Sequence, residues 1–150
     1  MELKKIVESR RAYRSLRPTE LSEQLLEELA EAARLAPSCF NNQPWRYVFV
    51  DDRDRLRELH AALAKANAWA TAGSMIIAVF SRPDLDCRIK GRDYFLFDTG
   101  MATALLILRA TELGLVAHPI AGFKEDLVKE TLGIPADMQV ITLVIVGKHD

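Results

Sequence analysis

The sequence predicts a single α+β domain in which helices pack on a central sheet. Segments with helical spacing of apolar residues alternate along the chain with short β-branched segments, the element order of this class. Two of the short segments, residues 75–80 and 140–146, are apolar almost throughout, as strands covered on both faces are. The chain has 150 residues, 49% hydrophobic and 27% charged, which suits one domain spanning residues 1–150.

The first half of the chain is predicted to hold three helices, one strand and a polar loop. Ser22 is a favourable N-cap for the second helix, and Pro37 ends that helix because proline cannot occupy a helix interior. Residues 37–44, bounded by two prolines, form the polar loop. Residues 45–50 are aromatic and β-branched, which is typical of a strand. The predicted helices are residues 2–11, 23–36 and 54–66.

The second half is predicted to centre on one long apolar helix, residues 94–113, which Gly114 ends as a left-handed cap. Three charged residues in this segment would be costly at the centre of a bilayer, so we interpret it as a helix buried in the protein. Residues 81–92, with Pro83 and several charges, are predicted to form an exposed loop. The other elements are strands at residues 75–80, 116–118 and 140–146 and a helix at residues 124–132.

Composition excludes several classes of function. The net charge of -1 argues against a generally basic nucleic-acid binder. The charged N-terminus does not read as a secretory signal, and we expect no membrane partner. Cys39 and Cys87 are a lone pair without close spacing, which predicts neither a disulfide framework nor a zinc site, and a reducing cytoplasm is the expected location. The three histidines lack metal-ligand spacing, so no metal is predicted.

A basic run near the N-terminus contains the first candidate binding residues. Arg10, Arg11 and Arg14 are close enough in sequence for several guanidinium groups to converge on one phosphate, whose oxygens match their planar fork of donors. A solvated basic face of the first helix is an equally good interpretation of these residues alone.

Two loops hold the other candidates. The polar loop offers Ser38, Asn41 and neighbouring amides that could read the edge of a planar heterocycle, although a simple helix-to-strand connection is the commoner structure. In residues 119–123, the small Ala121 and Gly122 would let backbone approach a flat ligand, and a plain turn is again the alternative. His118 is a candidate proton donor, but a histidine beside an apolar strand is more often structural.

Other catalytic signatures are missing from the sequence. It contains no Gly-x-Gly-x-x-Gly, Walker or Gly-x-Ser-x-Gly motif. If the protein is an enzyme, we therefore expect a cofactor to carry the chemistry and no side chain to act as the catalytic nucleophile.

Taken in order, these segments resemble the nitroreductase family of flavoproteins over essentially the whole chain. The proline-serine loop that ends in Gln43-Pro44-Trp45 is the most specific match. The further matches are residues 9–14, Asp98, Gly100, residues 113–115, residues 119–123, residues 132–135 and residues 144–147.

The resemblance implies a homodimer with a central, mostly antiparallel sheet flanked by helices and with FMN at the subunit interface. Each candidate residue then has an implied role in binding FMN. The phosphate and ribityl end would be held by Arg10, Arg11 and Arg14, with Lys148 as a further cation. The ring would be contacted by Pro37, Ser38 and Asn41. The ring edge near N5 would be approached by Ala121 and Gly122.

The implied activity is NAD(P)H-dependent reduction of nitroaromatic, quinone or related acceptors, by a ping-pong hydride mechanism through flavin N5. Two alternatives remain: a flavin-binding protein of the same fold with another redox role, such as dehalogenation or flavin destruction, and a non-catalytic ligand-binding domain. The chain departs from the family at Ala12, where a small hydroxyl residue is common. It also ends at Asp150, where larger relatives continue into a tail that wraps the partner, and residues 66–92 leave little room for a substrate-covering helix.

Overall fold

A computed structural model describes residues 2–150, in which helices and strands alternate along the chain. The helices are α1 (Leu3–Ser9), α2 (Glu23–Arg34), α3 (Arg53–His60), α4 (Phe95–Glu112) and α5 (Glu125–Leu132). The strands are β1 (Leu16–Arg17), β2 (Arg46–Val50), β3 (Met75–Ser81), β4 (Arg88–Ile89), β5 (Arg92–Asp93), β6 (Val116–Ile120) and β7 (Gln139–His149). Short 3₁₀ segments cover Cys39–Asn41, Lys65–Ala72 and Pro83–Leu85.

The central sheet is built around β7, and all of its strand pairs are antiparallel. The strand β7 pairs with β6 on one side and with β3 on the other, and β2 continues the sheet beyond β3. The two ends of β7 have different neighbours: Ser81 of β3 lies opposite Gln139, whereas Leu16 of β1 lies opposite His149. The predicted α+β class with an antiparallel sheet is therefore confirmed, and the strand order, which the sequence left open, is now defined.

Each face of the sheet carries its own hydrophobic cluster. Alternate residues of β3 point to opposite faces, so that Ile76 packs with α3 and α5 while Ile77 packs with α2 and α4. Every residue of β3 is buried, which explains why its sequence is apolar without alternation. Each large aliphatic side chain buried in this way stabilises the fold by roughly 1.5–3 kcal/mol.

Local signals at the helix ends are confirmed. The Ser22 hydroxyl accepts a hydrogen bond from the Leu25 N–H at 3.2 Å and so caps α2. Gly114 and Gly133 follow α4 and α5 with φ values of 76° and 67°. Glycine adopts this left-handed conformation without steric cost, so both helices stop where the sequence predicts.

Besides the strand predicted at residues 116–118, which extends to Ile120 and takes in the first two residues of the predicted loop at residues 119–123, two predicted segments differ from the structure. The predicted helix at residues 54–66 ends at His60, because the Ala64 N–H donates instead to the Gly122 carbonyl at 3.0 Å and draws the chain into a 3₁₀ segment. The predicted loop at residues 81–92 contains the small β4–β5 hairpin. Its two turn residues, Lys90 and Gly91, both have positive φ, as a tight hairpin requires.

The long helix α4 confirms the predicted element but is not buried on all sides. Asp98 and Leu106 are buried, whereas Phe97 is 63% exposed and Leu105 is 36% exposed in the single chain. The helices of residues 2–150 do not combine the length and the apolar character that a membrane crossing needs.

Candidate functional site

The pairing of β1 with the end of β7 gathers basic residues at one end of the sheet. We call this group, Arg10, Arg14, Arg17 and Lys148, the cationic end. Arg17 lies opposite Lys148 in the sheet, and all four side chains are exposed. Within residues 2–150, the side chains of Arg10, Arg14 and Lys148 have no hydrogen bond or ion pair, so they are free to bind an anion.

Arg17 belongs to the cationic end although we did not select it from the sequence. Its position in the same basic run, three residues after Arg14, was the available signal. Its Nε lies 3.4 Å from the backbone oxygen of His149, which holds the side chain beside β7.

Arg11 differs from its neighbours. Its Nη1 donates to the carbonyl oxygens of Glu8 at 2.6 Å and Arg10 at 2.8 Å, and so satisfies groups at the C-terminal end of α1. This terminal nitrogen is therefore engaged by the chain itself, and the phosphate role predicted for Arg11 is less well supported than that of Arg10 or Arg14.

Aromatic and imidazole rings hold the arginine segment against the sheet. The Nδ1 of His118 lies 3.0 Å from the Tyr13 backbone oxygen, and the ring of Tyr13 stacks on that of His149 with centroids 3.7 Å apart. His118 also lies against Trp69, with ring centroids 4.5 Å apart. These contacts give His118 a positioning role at the cationic end, in line with the structural alternative considered for it.

The polar loop lies at the opposite end of β7. The Ser81 hydroxyl donates to the Pro44 carbonyl oxygen at 2.7 Å, and Ser81 is the residue opposite Gln139. Within the loop, the Ser38 hydroxyl accepts from the Gln43 N–H at 3.0 Å and closes a tight turn. Pro37 and Asn41 are exposed and accessible to a ligand.

The backbone of the polar loop is strained. Phe40, Asn41 and Gln43 have φ values of 49°, 55° and 50°, and they are three of the four non-glycine residues with positive φ in residues 2–150. Such conformations cost about 1–3 kcal/mol each and persist only where the surroundings enforce them. Phe40 is also 86% exposed, an unusual state for a large aromatic side chain.

Two strong links enforce this conformation. Asp98, only 2% exposed on α4, accepts a hydrogen bond from the Cys39 N–H at 2.7 Å. Cys39 is also joined to Cys87 by a disulfide. Asn42 adds weaker contacts, since its Nδ2 lies 3.3 Å from Asp86 Oδ1 and 3.4 Å from Cys87 Sγ.

The disulfide shows that the sequence-based prediction for the cysteines was wrong. Cys39 and Cys87 are 48 residues apart, and spacing alone gives no sign that they meet. They meet because β2 and β3 pair with Arg46 opposite Phe80, which places the segment before β2 beside the segment after β3. Among residues 2–150, Cys39, Asp86 and Cys87 form the one cluster of possible metal ligands, and its two sulfurs are bonded to each other.

The Asp98 carboxyl is electrostatically unusual. Burial raises its pKa above the ordinary value for aspartate, the Cys39 N–H acts in the opposite direction, and the nearby Asp86 raises the pKa further. A neutral form of Asp98 is therefore more accessible than that of an exposed aspartate.

The third candidate segment is held by the protein itself. The Gly122 carbonyl oxygen accepts from Asn67 Nδ2 at 2.9 Å, and a Cβ at position 122 would lie 2.8 Å from the same nitrogen. A side chain at position 122 would force Asn67 to shift, so contacts within the protein favour glycine there without any ligand. Ala121 remains exposed, and its role beside a ring edge stays a prediction.

A single chain does not bring the candidate residues into one site. The strand β7 has 11 residues, so the polar loop and the cationic end are separated along it by roughly 30 Å. At one end Lys148 lies opposite Arg17, in the segment that follows Arg10 and Arg14, and at the other end Pro37, Ser38 and Asn41 share the polar loop. One small cofactor can contact both groups only if they belong to different subunits.

Comparisons with known proteins agree with this architecture. A model of the nitroreductase family matches residues 7–72 and 59–148. An NADH dehydrogenase from Thermus thermophilus is 30% identical over 174 residues, covering 92% of this chain and 82% of the relative.

Two solved structures share the fold. A nitroreductase family protein from Clostridium novyi NT superposes with a TM-score of 0.92 and 25% identity, covering 100% of this chain and 86% of that one. A structure described as an oxidoreductase containing FMN has a TM-score of 0.84 and 28% identity, covering 97% of this chain and 76% of that one. The family model and the fold together show that this chain is a member of the nitroreductase family.

Proposed function

We propose that the protein is an NAD(P)H-dependent FMN oxidoreductase that acts as a cytoplasmic homodimer on nitroaromatic, quinone or related acceptors. Family membership supports oxidoreductase chemistry, and the two relatives described as an NADH dehydrogenase and an oxidoreductase containing FMN support the donor and the cofactor. The observation that carries the proposal is the separation of two complementary half-sites at opposite ends of β7.

The chemistry of each half-site fits one part of FMN. The phosphate is an anion, and the cationic end offers exposed guanidinium and ammonium groups to which no carboxylate of residues 2–150 is bonded. The ring has carbonyl and imide groups at its edge, and the polar loop offers hydroxyl and amide groups on a fixed backbone. Bound FMN would supply hydride-transfer chemistry between a nicotinamide donor and a second substrate in ping-pong order.

The chain's own residues would then bind the cofactor, orient it and shield it. Arg10 and Arg14 would fix the phosphate end, while Ser38 and Asn41 would hold the ring against the strained loop. Because bonds to Asp98 and Cys87 already fix this loop, little ordering would be needed when the cofactor binds.

Exposed apolar residues support assembly into a homodimer. An apolar groove of about 270 Å³ lies between α1, α2 and α4. Leu3 and Leu35 on its rim are 68% and 66% exposed. Clusters of exposed apolar side chains on a small protein commonly mark a protein interface, and we assign this one to a second copy of the chain.

Spectroscopy of the purified protein tests the proposal. We expect FMN to bind with a visible flavin spectrum, and anaerobic NADH or NADPH to bleach that spectrum before an added quinone or nitroaromatic restores it. Sedimentation should show a dimer. A protein that takes up no FMN, or whose bound flavin no nicotinamide reduces, would exclude this function.

A further inference from the structure

We propose that Cys39 and Cys87 form a reversible dithiol/disulfide redox site, which exchanges with external dithiols and controls the conformation of the polar loop. The existence of the site is independent of the cofactor. Its effect on FMN affinity rests on the proposed function.

The strain in the polar loop is the first observation that supports this role. Phe40 and Asn41 lie within two residues of Cys39, and both have positive φ. A bulky residue such as phenylalanine rarely adopts this conformation without external restraint. The disulfide supplies part of that restraint, because it ties the start of the 3₁₀ segment Cys39–Asn41 to Cys87.

The two cysteines are anchored unequally. Around Cys87 the backbone is fixed on both sides, since its N–H donates to Asp86 Oδ1 at 2.8 Å and its carbonyl oxygen accepts from the Tyr94 N–H at 3.0 Å. Once the disulfide opens, the Cys39 N–H still donates to Asp98, but the Cys39 carbonyl oxygen accepts only from the Asn42 N–H at 3.0 Å, a bond within the polar loop itself. Cleavage should therefore release the loop and leave the hairpin side in place.

The location of the disulfide allows exchange without unfolding. Both cysteines are only partly buried, so a small thiol can reach them. In the reducing cytoplasm that the proposed function assumes, moreover, a protein disulfide is usually transient, catalytic or redox-sensing rather than permanent. These two points distinguish the site from a buried structural crosslink.

Reduction of the disulfide takes two successive thiol–disulfide exchange steps. A thiolate of the external dithiol attacks Sγ of Cys39, the Cys39–Cys87 bond breaks, and Cys87 leaves as a thiolate that the Asn42 amide can stabilise and that then takes up a proton. The second thiol of the reductant attacks the mixed disulfide and releases Cys39 as a thiol. The protein gains two electrons and two protons, and the external dithiol becomes a disulfide.

Alkylation and hydrogen exchange on the native full-length protein test the site itself. After treatment with dithiothreitol and quenching with iodoacetamide, we expect the mass to show two alkylated cysteines while the circular dichroism stays native. Amide exchange in residues 38–43 should accelerate on reduction and slow again on reoxidation. A disulfide that opens only under denaturing conditions, or a loop whose exchange does not respond to reduction, would overturn the proposal.

Cofactor affinity gives the functional readout. If the relaxed loop is competent to bind FMN only about 10–30% of the time, the dissociation constant should rise roughly three- to tenfold on reduction. The double variant Cys39→Ser/Cys87→Ser should match the reduced protein and no longer respond to dithiothreitol. An equal dissociation constant in both redox states would contradict control of the cofactor site. Absence of FMN binding in both states would instead reject the proposed function and leave the exchange experiment to decide on the redox site.

Discussion

The two half-sites at the ends of β7 are built in opposite ways. The polar loop is strained and is fixed by a disulfide, by a buried carboxylate and by the Ser38 hydroxyl. The cationic end consists of exposed side chains, of which Arg10, Arg14 and Lys148 are unpaired within residues 2–150. The difference indicates that the loop contributes orientation through a rigid backbone, whereas the cationic end contributes charge through side chains that become ordered when an anion binds.

Removing charge from the cationic end should have the largest effect on binding. Each charge-assisted hydrogen bond contributes about 1.5–3 kcal/mol, so the double variant Arg10→Ala/Arg14→Ala should weaken FMN binding by roughly 3 kcal/mol or more. Fluorescence titration with FMN measures this change. Arg57→Ala is the matched control, since Arg57 is also exposed but pairs with Asp54 on α3. Equal affinities in the double variant and the control would remove the phosphate assignment.

A charge in the apolar groove should separate the subunits and, with them, the two half-sites. Leu35→Glu places a carboxylate on an exposed apolar rim, and we expect it to weaken the dimer by about 2 kcal/mol or more. Sedimentation velocity across a dilution series reports the dimer constant. Ile89→Glu, in the β4–β5 hairpin and also partly exposed, serves as the control. Should the Leu35 variant remain as dimeric as that control, the groove is not the interface.

Loss of the buried carboxylate should destabilise the rigid half-site without affecting the charged one. Asp98→Ala leaves the Cys39 N–H without its acceptor, which should cost about 1–3 kcal/mol of folding free energy. Urea denaturation measures the loss, and Asp54→Ala on the surface of α3 is the control. Unaltered stability would show that Asp98 does not hold the polar loop.

Acidity should affect the polar loop in a defined direction, and this is the smallest effect we expect. The pKa of Asp98 is raised in the folded protein, chiefly by burial, so its contribution to stability is full below the ordinary aspartate value of about 3.9 and falls as pH rises through the raised pKa. Compared with Asp98→Asn, the unmodified protein should therefore gain stability on acidification. The opposite trend in paired urea denaturation series would show that the carboxylate form is the one favoured by folding.

The sequence predicted features that depend on neighbouring residues better than features that depend on distant ones. Strands such as β3 and caps such as Ser22 follow from local patterns, because burial and capping leave their mark on neighbouring residues. In the same way, charge and spacing predicted exposed basic residues near the N-terminus, and their phosphate role stays a prediction. The disulfide was missed because it depends on the pairing of β2 with β3, a contact between distant segments that no local pattern encodes.

Gly122 shows a second limit of sequence reasoning. Its small size suggested contact with a ligand, whereas the structure shows that the close approach of Asn67 also favours glycine there. A glycine recognised by its small size does not reveal whether a ligand or a protein side chain occupies the space beside it. The order of strands in the sheet could not be predicted from the sequence for a related reason. The same apolar residues would suit a strand paired with any of several neighbours.

Because β7 is long enough to separate the two half-sites, two variant chains that each lack a different half-site can complement one another. If each flavin pocket draws its charge from one polypeptide and its loop from the other, a polypeptide lacking the arginines and a polypeptide with a disrupted loop can combine to make one intact pocket per mixed pair. Random pairing of equal amounts would restore about a quarter of all pockets, as two-fold symmetry dictates.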